Sequence, residues 1–95
     1  MGNKELVRVI NRQTGSGFSD ALFMPELEQK LTVFINDLIQ NDFQKLVTIL
    51  YKIDVDENRL KRILTEKGGK DAAGIITGLI IERELQKIKT RKQFN

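Results

Sequence analysis

Apolar residues recur at the spacing of an α-helix through most of this chain. In the segment 25–40 they lie three or four positions apart and so share one helical face: Leu27, Leu31, Phe34, Ile35 and Leu38. Pro25 suits a first helical turn, because the amide hydrogen that proline lacks would have no partner there. Glu26 and Glu28 place negative charge near the positive end of the helix dipole. The pattern predicts a helix over residues 25–40.

A second segment, 42–53, has the same kind of pattern. Asn41 or Asp42 can cap its start. Its apolar residues are expected to share one buried face: Phe43, Leu46, Val47, Leu50 and Ile53. Because the junction between the two helices is very short, we expect them to form an antiparallel hairpin or a sharp corner.

Two further helices follow. Asp54 with Glu57 three residues later is typical of a helix start, and Gly68 and Gly69 are typical of a helix end. The buried side of this third predicted helix consists of Leu60, Ile63 and Leu64. Asp71 can cap a fourth and longest helix over residues 72–91.

Residues 1–24 differ from the rest of the chain. Residues 4–10 are apolar enough for a short strand or a helical turn, but the segment is too short for periodicity to decide. Residues 11–20 are polar and contain Gly15 and Gly17, which is typical of a loop. The sequence therefore predicts an all-α fold, a compact bundle of four helices over residues 25–95, preceded by a flexible N-terminal arm over residues 1–24.

The last predicted helix is apolar on two sides. One side contains Ala72, Ile75, Ile76, Leu79 and Ile80, and the other contains Gly74, Gly78, Ile81, Leu85 and Ile88. A helix that is apolar on two sides must bury both. The second side is expected to meet the N-terminal arm, a second protomer or a partner helix. Gly74 and Gly78 each cost about 1 kcal/mol in a helix relative to alanine, which is tolerable where another backbone approaches closely. These five residues are the candidate interface.

The composition excludes several kinds of chemistry. The 95 residues include no cysteine and no histidine, so the chain has no thiolate nucleophile and lacks the commonest general base and metal ligand. Asp54, Asp56 and Asn58 begin like a calcium-binding loop, but Arg59 replaces the turn glycine and Thr65 the bidentate glutamate. The remaining carboxylates suit helix caps and salt bridges. We therefore expect no enzymatic activity, no catalytic residue, no cofactor and no metal.

The net charge of +3 conceals an uneven distribution. Residues 1–58 carry a net charge of −3 and residues 59–95 a net charge of +6. The basic half offers a candidate anion-binding patch, because clustered cations can neutralise phosphates. Its residues are Arg59, Lys61, Arg62, Lys87, Lys89, Arg91 and Lys92. The same cations also suit the carboxyl end of a helix dipole and a soluble surface.

Two segments carry a resemblance to a known family. Residues 50–57 (LYKIDVDE) and 79–91 (LIIERELQKIKTR) resemble an uncharacterised family of short, all-helical bacterial proteins of unknown function. The resemblance implies a small cytoplasmic helical protein without a known activity, and it transfers no functional residue.

Two functions are compatible with these features. The first is a small non-enzymatic protein-interaction module whose partner is another protein or a second copy, through the last helix. The alternative is binding of nucleic acid or another anionic partner through the basic patch.

The N-terminus has no apolar stretch of signal-peptide type, and the longest mostly apolar run, residues 72–81, is half the length of a membrane span of about 20 residues. We expect no membrane partner and a cytoplasmic location.

Overall fold

The computed structural model describes residues 3–67 and 71–93, and its regular structure there consists of five α-helices. They are α1 (Lys4–Thr14), α2 (Met24–Asn41), α3 (Phe43–Ile53), α4 (Glu57–Glu66) and α5 (Ala72–Gln93). The prediction of an all-α fold is confirmed. The predicted count of four helices is corrected to five, because residues 4–14 form a helix of their own.

Helix α1 lies within the segment that was predicted as a flexible arm. Leu6, Val7, Val9 and Ile10 are all buried in the hydrophobic core. Their spacing of three and four positions brings them to one face of a helix, and that face packs against α5 and α3. Residues 4–14 therefore pack together with the predicted helical domain.

The loop that follows α1 is held by the side chain of Asn11. Its Nδ2 donates a hydrogen bond to the carbonyl oxygen of Phe18 (2.9 Å), and its Oδ1 accepts from the backbone amide of Phe18 (3.0 Å) and from Ser16 Oγ (2.8 Å). Gly15 ends the helix with φ +74°, a left-handed conformation that a glycine adopts without steric cost. The Phe18 ring then packs edge-on against Phe34 of α2, with 6.0 Å between the ring centroids.

The corners between α2, α3 and α4 are short and are fixed by aspartates. Asp42 alone separates α2 from α3, and its carboxylate accepts a hydrogen bond from the amide of Lys45 (3.2 Å). Asp54 ends α3 with φ +65°, and Asp56, rather than Asp54, is the N-cap of α4. The predicted helix start at Asp54 is therefore wrong by two residues, because the carboxylate that reaches a free amide of the first turn belongs to Asp56. The predicted helix end at Gly68 and Gly69 lies outside the described residues.

Helix α5 is the central element of the fold. It packs against each of the other four helices, and most extensively against α2. Its buried residues occur in every turn from its start to its last third: Ala73, Ile76, Thr77, Leu79, Ile80, Ile81, Glu84 and Ile88. Across the interface with α2, Thr32 Oγ1 donates a hydrogen bond to Thr77 Oγ1 (3.1 Å). In contrast, α4 has no fully buried residue and presents only half-buried Leu60, Ile63 and Leu64 to its neighbours.

The three hydrogen bonds of Asn11 predict a measurable contribution to stability. The substitution Asn11→Ala removes all three and leaves the Phe18 amide and carbonyl without that partner. We expect the free energy of unfolding to fall by about 1–2 kcal/mol. Urea denaturation followed by circular dichroism measures this change.

Asn36→Ala is the matched control, because Asn36 is exposed on α2 and alanine favours a helix more than asparagine does. It should leave stability unchanged or raise it slightly. Equal effects of the two substitutions would show that Asn11 does not hold the loop.

Candidate functional site

The five candidate interface residues of α5 do not form one exposed surface. Ile81 and Ile88 are buried and belong to the hydrophobic core. Leu85 is 44% exposed, and Gly78 is exposed with open space where a side chain would project. The start of α1 lies near the end of α5, where Glu5 reaches Arg91 (3.9 Å) and Lys92 (3.3 Å). Much of the second apolar side of α5 is thus covered within the chain, with α1 as one of its neighbours.

The side chain of Asp71 lies close over Gly74. A Cβ built at this position would lie 2.5 Å from Oδ1 of Asp71 and 2.7 Å from its Oδ2. The Asp71 carboxylate therefore occupies the space over Gly74, at the position expected for a capping residue three places before it. This close contact comes from the residue that precedes α5 and does not require an approaching partner.

Most residues of the predicted anion-binding patch already have carboxylate partners. Five of the seven form ion pairs: Arg59 with Glu82, Lys61 with Glu57, Lys87 with Glu84, and Arg91 and Lys92 with Glu5. Arg62 and Lys89 are exposed and form no ion pair within the described part of the chain. Because paired cations have less charge to offer a phosphate, the patch is weaker than its residue count indicates.

A polar cleft of about 370 Å³ lies between the α3–α4 corner and α5. Two ion pairs cross it. Arg83 donates from Nε to the carbonyl oxygen of Asp54 (3.1 Å) and from Nη2 to its carboxylate (3.2 Å), and Arg59 donates to Glu82 (2.8 Å). The first pair fixes the corner at Asp54, and the second ties α4 to α5. Both arginines are therefore engaged in holding elements together.

The Arg59–Glu82 pair shifts the titration of both side chains. The hydrogen bond from Arg59 and then its positive charge hold the pKa of the Glu82 carboxyl below its ordinary value, while partial desolvation opposes this. The same hydrogen bond and the negative charge of Glu82 raise the pKa of Arg59. The pair is half-exposed to solvent, so its contribution to stability is modest.

Glu84 is a buried acidic side chain, only 1% exposed, on a helix whose other buried residues are uncharged. Its Oε1 lies 3.5 Å from Nζ of Lys87, one turn along α5. Burial of a carboxylate is costly unless it is paired. Lys87 is thus the cation that faces this buried carboxylate within the described part of the chain.

The largest group of exposed apolar side chains on one helix lies on α3. Phe43, Val47 and Tyr51 are 60%, 40% and 85% exposed, and their spacing of four positions places them on one face. We call these three residues the α3 stripe. The opposite side of α3 is anchored in the core by Leu46, Ile49 and Ile53.

The α3 stripe itself carries no charge, but the exposed carboxylate of Asp54 lies one turn after Tyr51 at its end. Between Phe43 and Tyr51 the only charged residue is Lys45. Its Nζ lies 5.8 Å from the centroid of the Phe34 ring on α2, which directs it away from the stripe. Aromatic residues with few charges nearby are typical of the centre of a protein–protein interface.

The sequence contained a signal for this surface, but its interpretation was wrong. Phe43 and Val47 were assigned to the buried face of their helix, together with Leu46, Leu50 and Ile53. The structure buries Leu46 and Ile53, leaves Leu50 half-buried and exposes Phe43 and Val47. Sorting apolar residues by helical spacing, which gave two apolar sides for α5, also gives two for α3. Positions 46, 49 and 53 form one side, and positions 43, 47 and 51 form the other.

In residues 3–67 and 71–93 no three acidic side chains lie close enough together to hold a metal ion. None of the helices there combines the length and the apolar character that crossing a bilayer requires.

The Arg59–Glu82 pair predicts a pH dependence. Because the pKa of Glu82 is lowered in the folded state, the pair stabilises the fold above the pH at which a free glutamate titrates, and this contribution is lost as the pH falls through the lowered pKa. We expect the Glu82 carboxyl carbon, followed by NMR, to titrate at a lower pH than an unpaired glutamate. Arg59→Gln should move that midpoint upward, whereas Arg62→Gln, one turn of α4 away, should not move it. A midpoint unaffected by Arg59→Gln would mean that the pair does not persist in solution.

The buried carboxylate of Glu84 predicts unequal effects at the two ends of its ion pair. Lys87→Met leaves the charge of Glu84 buried without a partner and should lower the free energy of unfolding by about 2 kcal/mol. Glu84→Gln removes the buried charge while keeping the shape, and it should cost less than about 1 kcal/mol. Urea denaturation of both variants near neutral pH compares them. A larger loss for Glu84→Gln than for Lys87→Met would contradict this account.

The chain matches no protein-family model, no curated protein and no solved structure. The family resemblance of residues 50–57 and 79–91 stays a prediction.

Proposed function

We propose that this chain is a small, non-enzymatic helical protein-interaction module that contacts its partner through the α3 stripe. The observation that carries the proposal is the exposure of Phe43, Val47 and Tyr51 along one face of a helix whose other side is firmly packed. Large aromatic side chains at the centre of an uncharged surface contribute most of the energy of typical protein interfaces.

The position of α3 favours binding because the helix is held in place before a partner arrives. Its core side is buried, Asp42 caps its start, and Arg83 binds the carbonyl oxygen and carboxylate of Asp54 at its end. A surface that is already ordered loses little conformational entropy on association.

The last helix is a weaker candidate for the contact surface. Of the five residues expected there, Leu85 is the only one with a large exposed side chain, because Ile81 and Ile88 are buried. The two glycines contribute little apolar area. This distribution supports α3 rather than α5 as the surface that meets a partner.

The alternative function, binding of nucleic acid or another anion, has less support. Five of the seven cations in the patch lie beside carboxylates, whose negative charge weakens the attraction of the patch for an anion. We further propose a cytoplasmic location, which the absence of cysteine supports because intracellular proteins in reducing compartments do not rely on disulfides.

Site-specific photo-crosslinking in the protein's native cells tests the proposed function. A photoreactive phenylalanine analogue placed at position 43 or 51 should give discrete crosslinked products, because both positions lie in the contact surface. The same analogue at position 29, an exposed residue of α2, should give none.

A pair of matched valine substitutions provides the control. Val47→Glu should abolish the crosslinked products, because it places a charge at the centre of the stripe. Val33→Glu should leave them intact, since Val33 is also an exposed valine on a helix (66% exposed) but lies on α2. Products that survive Val47→Glu, or no products at all from positions 43 and 51, would overturn the proposed function.

A further inference from the structure

We propose that the partner on the α3 stripe is a second copy of this chain, bound antiparallel about a two-fold axis that passes beside Val47. The inference rests on the proposed function and deepens it by naming the partner. It follows from the spacing of the stripe, its charge and its area.

The spacing of the stripe is symmetric. Val47 lies four residues after Phe43 and four residues before Tyr51. In an antiparallel two-fold pairing centred on Val47, the two valines face each other, and Phe43 of each copy lies against Tyr51 of the other. A two-fold interface uses the same surface on both copies and therefore requires this self-complementarity. Aromatic residues that meet in this way pack well in edge-on or offset geometry.

The charge of the stripe also suits a second copy. A partner with an acidic or basic surface would find no opposite charge between Phe43 and Tyr51, because Lys45 is directed toward Phe34. Two copies of an uncharged face meet without like charges opposing each other, which for a charged face would be destabilising.

The exposed area of the stripe is small for a stable dimer. From their exposures, the three side chains present on the order of 350 Å² in each copy. A stable, specific interface typically buries about 800 Å² on each partner. The stripe and its polar neighbours, which include Gln44 and Thr48, therefore suit a weak, transient dimer rather than a stable one.

Sedimentation velocity over a concentration series from about 10 μM to 1 mM measures the association of the full chain, because a weak dimer forms only toward high concentration. The wild type and Val33→Glu should shift from monomer to dimer across this range. Val47→Glu should remain a monomer throughout, and so should Tyr51→Lys, a substitution at an 85% exposed position that leaves the core untouched. A wild type that stays monomeric at 1 mM, or dimerisation that Val47→Glu leaves unchanged, would overturn the proposal.

A charge-swap mixture tests the two-fold arrangement. Val47→Glu and Val47→Lys should each be monomeric, because like charges would face each other across the axis. An equimolar mixture of the two should restore a dimer containing one copy of each variant. Failure of the mixture to associate, where the wild type does, would place the axis elsewhere.

The absence of cysteine from the chain allows an independent test of the direction of pairing. Val47→Cys alone should form a disulfide-linked dimer under mild oxidation. A mixture of Phe43→Cys and Tyr51→Cys should form the mixed dimer faster than either variant forms a dimer with itself. Faster formation of the two like-with-like dimers would indicate a parallel pairing and overturn the antiparallel arrangement.

The crosslinked products of the cellular experiment distinguish this inference from the proposed function. Products of twice the mass of the chain support a second copy. Products of another mass, together with a monomeric wild type at 1 mM, would leave the proposed function standing and overturn the second copy as its partner.

Discussion

The burial of α5 is the constraint on which the rest of this fold depends. A helix that is apolar on two sides must bury both, and packing against a single neighbour would leave one of them in contact with water. The other four helices all pack against α5. Helix α1 is one part of that enclosure, and it explains why a short N-terminal segment with only a few apolar residues takes a defined helical structure. The ion pairs of Glu5 with Arg91 and Lys92 then join the start of α1 to the end of α5.

The uneven charge of the sequence is explained in part by ion pairs between its acidic first half and its basic second half. The acidic first half supplies Glu5 and Asp54, and the basic second half supplies the cations that meet them at the end of α5 and at the α3–α4 corner. The pairs within the second half join α4 to α5, as Arg59 and Glu82 do, or neighbouring turns of α5, as Glu84 and Lys87 do. Much of the local positive charge therefore serves to hold helices together, which leaves the uncharged α3 stripe as the more distinctive feature of the surface.

The sequence predicted the features that depend on neighbouring residues. The helices over 25–40, 42–53 and 72–91 were placed within about two residues of their observed ends, because the apolar period and the capping residues are local signals. Helix α1 could not be predicted with the same means, since its four apolar residues take a single structure only where they meet α5 and α3. The N-cap at Asp56 was missed because two aspartates compete for that role, and the left-handed turn at Asp54 decides between them. Phe43 and Val47 were misassigned because a periodic pattern shows that a helix has apolar sides but not which of them other helices cover.

The contact between α1 and α5 has a consequence for how the chain folds as it leaves the ribosome. Because α5 follows the other helices in the sequence, α1, α2 and α3 are synthesised before the surface that they enclose exists. Their core-facing residues, such as Val7, Leu31 and Leu46, remain without the cover of α5 until that helix has been translated and has left the exit tunnel. Contacts between segments so distant in sequence form late and slow the search for the native state. During that interval these core-facing residues stay in contact with water, and transiently exposed apolar surface makes a chain prone to aggregation.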